Sequence, residues 1–417
     1  MKIKFFNKFY DKEIEVSLQI VSIICAFIIP LLVLGPFFPD MIVSFSSLWF
    51  LYYSWKHKLF KVYKNIYFYL FIGFWIVSLF SSLLSEHVLI SLKSSLFYIR
   101  IGIFALLISY LIDQNKKIID YFYFMFVLTF SVLIIDGYIQ YFSGTNLLGY
   151  EAGGKRISSF FHTEYILGSY LARLLPLCTA LFLIRVNKKK WEFYFFPIFF
   201  LLVSVLILFA GERASLFFLF IFIGFLLIFM SRFLFFRISS FFSIILIFFL
   251  LVNFNPKLED RYINDVFDKF NLKNSNIIFF TPEHDRLFKT GFKIFLDKPI
   301  LGHGPKSFSF KCRQLLDSSN KYACSQHPHN FYIQLLAETG MVGAFFLIGV
   351  FSFLVFLVFR RVFEFFFSKN FYLSDYQICL LAGLLITVWP ITTNGNFFNN
   401  NLMIFYGLQM GFFGKKI

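Results

Sequence analysis

Apolar residues in this chain come in long runs separated by short polar connections. Twelve runs approach the roughly 20 apolar residues that carry a helix across a bilayer. They lie at about 16–34, 38–55, 66–83, 91–112, 118–142, 165–184, 192–210, 213–231, 234–252, 330–359, 373–391 and 399–414. The pair 213–231 and 234–252 is the hardest to divide, because its connection is nearly as apolar as its flanks. A single long polar stretch, 253–329, interrupts the pattern. Within it, Thr281-Pro282-Glu283 reads as an N-cap, a first-turn proline and an early acid. Residues 283–296 then put Leu287, Phe288, Gly291, Ile294 and Phe295 on one side, which predicts an amphipathic helix at the membrane surface. The expectation is an all-α polytopic membrane protein with about twelve transmembrane helices. Nine fall in 1–252, a large periplasmic loop with short helices spans 253–329, and three helices fill 330–417.

Composition agrees with that class. The 417 residues are 59% hydrophobic and 23% aromatic, and 69 phenylalanines cannot all be buried in a water-soluble core. The net charge of +16 would suit nucleic acid, but its distribution excludes that partner. The termini and alternate connections carry 21 basic residues, among them Lys2, Lys56, Lys116, Lys188, Arg232, Arg360 and Lys415. The short connections between them carry only Lys93, Lys155, Arg156 and Arg213. This asymmetry predicts cytoplasmic termini and a long loop that faces outward. The first apolar run lacks a small-residue cleavage pattern and is expected to remain as the first span.

The polar, glycine-containing connections all fall on the outer side: 143–164, the turn Gly211-Glu212-Arg213, the long loop, and 392–401. An outward-facing site is the expectation. Arg100, Asp136 and Arg173 lie inside apolar runs, about 9–13 Å from their outer ends at 1.5 Å per residue. They are read either as an ion pair, Asp136 with Arg100 or Arg173, or as an electropositive cavity. Asn330, Gln334, Glu338 and Met341 recur at spacings of four, four and three, a polar stripe entered through His327 and His329. Cys312 and Cys324 share the long loop and would pair in an oxidising compartment, whereas Cys25, Cys178 and Cys379 sit in apolar runs. No His, Cys and Asp set has zinc-like spacing, and there is neither a Walker loop nor a GxSxG elbow. No metal and no cofactor is expected.

These residues fall into a familiar order. PILGHGPKSF, followed by HPHNFYIQLLAETGMVG, resembles the core signature of the O-antigen ligase and polymerase family of membrane glycosyltransferases. FAGERAS resembles that family's arginine-bearing turn, HDRLFKTGFKIFLDKP the helix of its large periplasmic loop, GKRISSFF an outer-loop segment, and GNFFNNNLMIFYGLQMGF its last span. The resemblance runs from about residue 150 to the C-terminus; the first 140 residues match in hydropathy only. It implies a metal-independent, inverting glycosyltransferase that moves a glycan from an undecaprenyl diphosphate carrier to an acceptor hydroxyl, as in O-antigen ligation to lipid A–core. It further implies that Arg213 and Arg286 bind the diphosphate and that His329 is the catalytic residue. Arg156 is a second-rank candidate for binding the diphosphate. His327, Asn330 and Glu338 are expected to orient His329 or the sugar rather than carry the chemistry, with Arg173 and Arg100 as further candidate substrate-binding residues. Glu212 departs from the pattern and is expected to point away from Arg213.

The chemistry is coherent. A diphosphate leaving group gains charge as the glycosidic bond breaks, and guanidinium groups neutralise it through paired hydrogen bonds. A histidine titrating near neutrality suits deprotonation of an attacking hydroxyl. A repeat-unit polymerase of the same family is the nearest alternative. A lipid-linked oligosaccharide flippase is the alternative from another class, but it should show repeat symmetry and broken helices near the midplane.

Overall fold

The structure, a computed structural model, describes residues 14–186, 190–270, 282–315, 324–367 and 371–415. The basic residues Lys2, Lys188 and Lys369, and Thr281 with its expected capping role, lie outside these ranges.

A helix or helix pair covers each of the twelve apolar runs. In chain order the helices are α1 Val16–Ala26, α2 Ile28–Leu34, α3 Phe37–Lys56, α4 Ile66–Leu83, α5 Val88–Leu96, α6 Ile99–Gln114, α7 Ile118–Ser143, α8 Leu167–Arg185, α9 Lys190–Phe209, α10 Arg213–Phe229 and α11 Leu234–Phe254. The long connection carries α12 Pro256–Glu259, α13 Asp265–Phe270, α14 Pro282–Asp297 and α15 Phe308–Leu315, followed by α16 Phe331–Phe367, α17 Asp375–Thr387 and α18 Asn400–Phe413. Among the described residues there is no strand, only the isolated bridges Thr145–Glu151 and Gly153–Arg156.

Eight of these stretches are long and apolar enough to cross a membrane: Val16–Leu34, Ile66–Leu83, Val88–Gln114, Ile118–Ser143, Leu167–Arg185, Trp191–Phe209, Leu234–Phe254 and Phe331–Phe367. Helices α10 and α17 are apolar but shorter. The difficult pair separates cleanly. Asp375 accepts hydrogen bonds from the amides of Ser231 and Arg232, at 2.8 and 3.0 Å, and so fixes the break between α10 and α11. The run at 91–112 is two helices, divided at Phe97-Tyr98.

Helix α8 is the centre of the bundle. Sixteen of its residues, from Leu167 to Leu183, are buried, and it packs against α7, α9, α10 and α17. Close approach uses small residues, as membrane helix packing requires. A Cβ on Gly383 of α17 would stand 3.0 Å from Pro176 of α8. Phe37, Phe142, Phe235 and Phe254 are largely exposed on the outside, consistent with lipid contact.

Helix α16 contains the device that positions the site. Gly340 breaks it, with φ 66° and ψ −167°. The backbone groups freed at the break are taken by the Gly/Pro turn at 298–304. Met341 N–H donates to Pro299 (2.8 Å), Gly304 N–H to the Glu338 carbonyl (2.8 Å) and His303 N–H to the Ala337 carbonyl (3.1 Å). The space is so tight that a Cβ on Gly340 would stand 2.2 Å from the Ile300 carbonyl oxygen. The two most specific motifs of the chain are therefore joined backbone to backbone.

The same break corrects the expected polar stripe. Asn330, Gln334 and Glu338 face inward, whereas Met341, past the break, is 52% exposed. Helix α14 forms where expected. It buries Leu287, Thr290, Gly291 and Ile294 and packs on α16, where a Cβ on Gly291 would stand 2.4 Å from Ile333. Cys312 and Cys324 form a disulfide with Cα atoms 5.7 Å apart, tethering α15 to the approach of α16. Cys25, Cys178 and Cys379 are buried free thiols.

Candidate functional site

His329 sits just before α16 in a left-handed conformation, φ 58°. That strained backbone is held by its neighbours. The Asn394 amide donates to the His329 carbonyl at 2.7 Å. The next residue, Asn330, caps α16 by accepting from the amides of Tyr332 (3.0 Å) and Ile333 (3.2 Å). Its side-chain amide donates to the carbonyls of Pro390 (2.7 Å) and Thr392 (3.3 Å), which ties the helix mouth to the 390–394 segment.

The His329 ring lies among two others. Its centroid is 4.1 Å from that of His327 and 5.4 Å from that of His284 on α14, and Ser325 Oγ is 3.4 Å from its Nε2. Burial, and then the charge of His284, hold His329 below the ordinary histidine range. Burial, and then His329, push His327 down to about 3, and neither of its ring nitrogens has a hydrogen-bond partner among the described residues. Both imidazoles are therefore neutral at physiological pH.

Behind His329 lies Arg173. It is 2% exposed and donates to the Asn394 side-chain oxygen at 2.7 Å and to Ser169, with its guanidinium 4.7 Å from the Phe218 ring centroid. Its Nε has no partner among the described residues. One asparagine thus joins a buried cation to the histidine backbone.

A second group surrounds Gly211-Glu212-Arg213. Glu212 points away from Arg213, as expected, and caps α8. It accepts from the amides of Gly168 (2.8 Å) and Ser169 (3.3 Å) and from Ser215 Oγ (3.0 Å). Burial pushes its carboxyl up, partly offset by the nearby Arg156. Arg213 is held by the π-helical turn Asp260–Asn264 and the start of α13. It donates to the Arg261 carbonyl at 2.9 and 3.1 Å and to Asp265 at 3.0 Å. Arg156 donates to the Tyr165 carbonyl at 2.6 Å, with its guanidinium 4.8 Å from the Tyr165 ring centroid. A cavity of about 210 Å³ opens beside this group, with Lys155, Arg156 and Lys257 on its polar side and Tyr141, Phe142 and Phe209 on its apolar side.

Two expected residues stand elsewhere. Arg100 pairs with Asp40 at 2.5 Å and reaches Asn400 at 3.3 Å. Asp136, read from the sequence as a partner for Arg100 or Arg173, pairs with neither. It accepts instead from Ser159 Oγ (2.5 Å), Leu147 N–H (2.9 Å) and Asn146 Nδ2 (3.3 Å), folding the 143–164 connection over the end of α7. Glu338 is fully buried, accepting from Gln334 (2.9 Å) and the Phe308 amide (3.3 Å). Arg286, on α14 two residues from His284, is exposed. Among the described residues, no group of three or more His, Cys, Asp and Glu converges as a metal site would require.

Residues 197–348 match the family model described as O-antigen ligase. The match supports an O-antigen ligase-family assignment. No curated protein matches the chain. The O-antigen ligase region takes in Arg213, Arg261, Asp265, Arg286 and His329, and leaves Arg100, Arg156, Arg173 and Asn394 outside it. The last of these was not read from the sequence as a site residue. Its only signal there was its place in an asparagine-rich connection, TTNGNFFNNN. Arg261 and Asp265 were equally hidden, as two charges among many in the long loop.

Proposed function

We propose that this protein transfers a glycan from an undecaprenyl diphosphate carrier to an acceptor hydroxyl at the outer face of the inner membrane, as an O-antigen ligase acting on lipid A–core. What carries the reading is that a single family match spans the arginine turn, the α14 arginine and His329 together.

In this scheme neutral His329 accepts the proton of the acceptor hydroxyl as its oxygen attacks the anomeric carbon. The bond from that carbon to the diphosphate oxygen breaks, and the diphosphate leaves with the electron pair. One displacement inverts the anomeric centre. Burial favours the role by keeping the imidazole unprotonated. Arg213, Arg286 and Arg156 receive the diphosphate charge, which needs planar donors aimed at the leaving oxygens. The cavity beside Lys155 and Arg156 gives the headgroup room, and its aromatic side suits a prenyl chain arriving from the bilayer. Arg173 and Asn394 position the His329 backbone rather than touch substrate.

A lipopolysaccharide gel of a deletion strain complemented with this gene tests the reading. Bare core before complementation, with polymer retained on the carrier lipid, supports ligation. Core bearing a single repeat unit would assign the polymerase reaction instead. Normal lipopolysaccharide in the deletion strain would exclude both.

A further inference from the structure

Three cations converge on one carboxylate beside the proposed diphosphate site. Asp265 Oδ2 is 3.0 Å from Arg213 Nη2 and 3.5 Å from Arg261 Nη1, and its Oδ1 is 3.2 Å from Lys155 Nζ. The cluster is reachable, since the four side chains are 22–38% exposed. It adjoins the cavity through Lys155. Asp265 is carried on a short helix behind the π-helical turn Asp260–Asn264, a local distortion of the kind found at functional positions.

The chemistry of the cluster is that of an occupied anion site. A carboxylate presents two oxygens to N–H donors much as a phosphate does, and each competes for the same guanidinium hydrogens. With Asp265 in place the group is one negative charge against three positive, still attractive to an anion of higher charge. Without it, three cations would face one another with only Asp260, 3.5 Å from Lys155, to offset them.

We propose that Asp265 is an internal anion that holds the diphosphate-binding cations in the donor-free protein and is exchanged for the donor's diphosphate. The inference rests on reading the Arg213 group as the diphosphate site. It assigns Asp265 a second task. Glycan transfer turns a diphosphate diester into a monoester with one more ionisable oxygen, which the cations hold more tightly than the donor. Asp265 re-entering the cluster competes with that product and speeds its release. A binding-competent state that must first give up an internal partner binds its ligand more weakly by the fraction of time it is free.

The test uses the full chain in nanodiscs, with farnesyl diphosphate as probe. Asp265→Asn keeps the shape and removes the charge. The expected result is a Kd for farnesyl diphosphate lowered about tenfold, a lower donor KM, and a lower kcat through slower product release. Asp265→Glu keeps the charge and is expected to bind farnesyl diphosphate more weakly than Asp265→Asn does, and thermal unfolding verifies that both variants fold. Weaker binding in Asp265→Asn, matching that of Arg213→Ala, would overturn the proposal and make Asp265 a strut. Unchanged binding in Asp265→Asn, with binding lost in Arg213→Ala, would overturn it while leaving the diphosphate site intact. Unchanged binding in both would remove the diphosphate site itself.

Discussion

The Asn394 amide donates to the His329 carbonyl at 2.7 Å, while the Asn394 side-chain oxygen accepts from Arg173. These two contacts separate cleanly under substitution. Asn394→Ala keeps the amide and loses the oxygen, so a buried guanidinium loses a partner at a cost of about 1–3 kcal/mol in stability. Asn394→Pro removes the amide and frees the strained His329 backbone. The expected result is a lower unfolding temperature with modest kinetic change for the first variant, and a transfer rate down about a hundredfold for the second. Thermal unfolding beside initial-rate measurements on the two proteins checks this.

The pH dependence follows from the histidine cluster. A general base works only when unprotonated, so activity falls on acidification through the His329 pKa. Burial and the charge of His284 hold that pKa below its ordinary value near 6.5. Removing His284 removes a positive charge that opposes protonation, so the pKa rises. The acid limb of the kcat/KM profile is therefore expected to move to higher pH in His284→Ala. A limb that stays in place would detach His284 from the titration.

Gly340 has a steric role that no other residue can fill. Its φ of 66° is strained for a side chain, and an added Cβ would strike the Ile300 carbonyl oxygen. Gly340→Ala is expected to cost more than about 2 kcal/mol, undock the 298–304 turn and lower transfer with it. A thermal unfolding curve indistinguishable from wild type would count against this weld.

The Cys312–Cys324 disulfide closes a short loop, with a sequence separation of 12. Reducing it or introducing Cys312→Ser is expected to lower stability by about 3 kcal/mol. Mass spectrometry after thiol labelling of the unreduced protein should find neither cysteine modified.

The legible and illegible parts of this protein divide by physical cause. The length of the apolar runs located a helix or helix pair under each of the twelve, because solubility in lipid constrains residues on every side of a helix. A first-turn proline with an early acid, followed by an apolar face, located α14, and the disulfide followed from two cysteines in one loop. Partners of buried charges were not legible. Asp136 pairs with the nearby 143–164 connection rather than with Arg100 or Arg173, since a loop folded over a helix end leaves no periodic trace. Arg100 finds Asp40, sixty residues away, by a packing of α3 against α6 that hydropathy does not encode. The stripe of Asn330, Gln334 and Glu338 was visible as polarity. Its use in bonding Phe308 and the 390–397 segment was not, because the partners are main-chain amides and carbonyls of any residue type.

The most direct measurement is glycan transfer by purified protein in nanodiscs, supplied with carrier-linked glycan and lipid A–core, comparing wild type with His329→Ala. The account predicts that His329→Ala keeps its fold and its affinity for farnesyl diphosphate while transfer falls by about 10²–10⁴-fold. Transfer by His329→Ala at the wild-type rate would contradict it and remove the histidine from the mechanism.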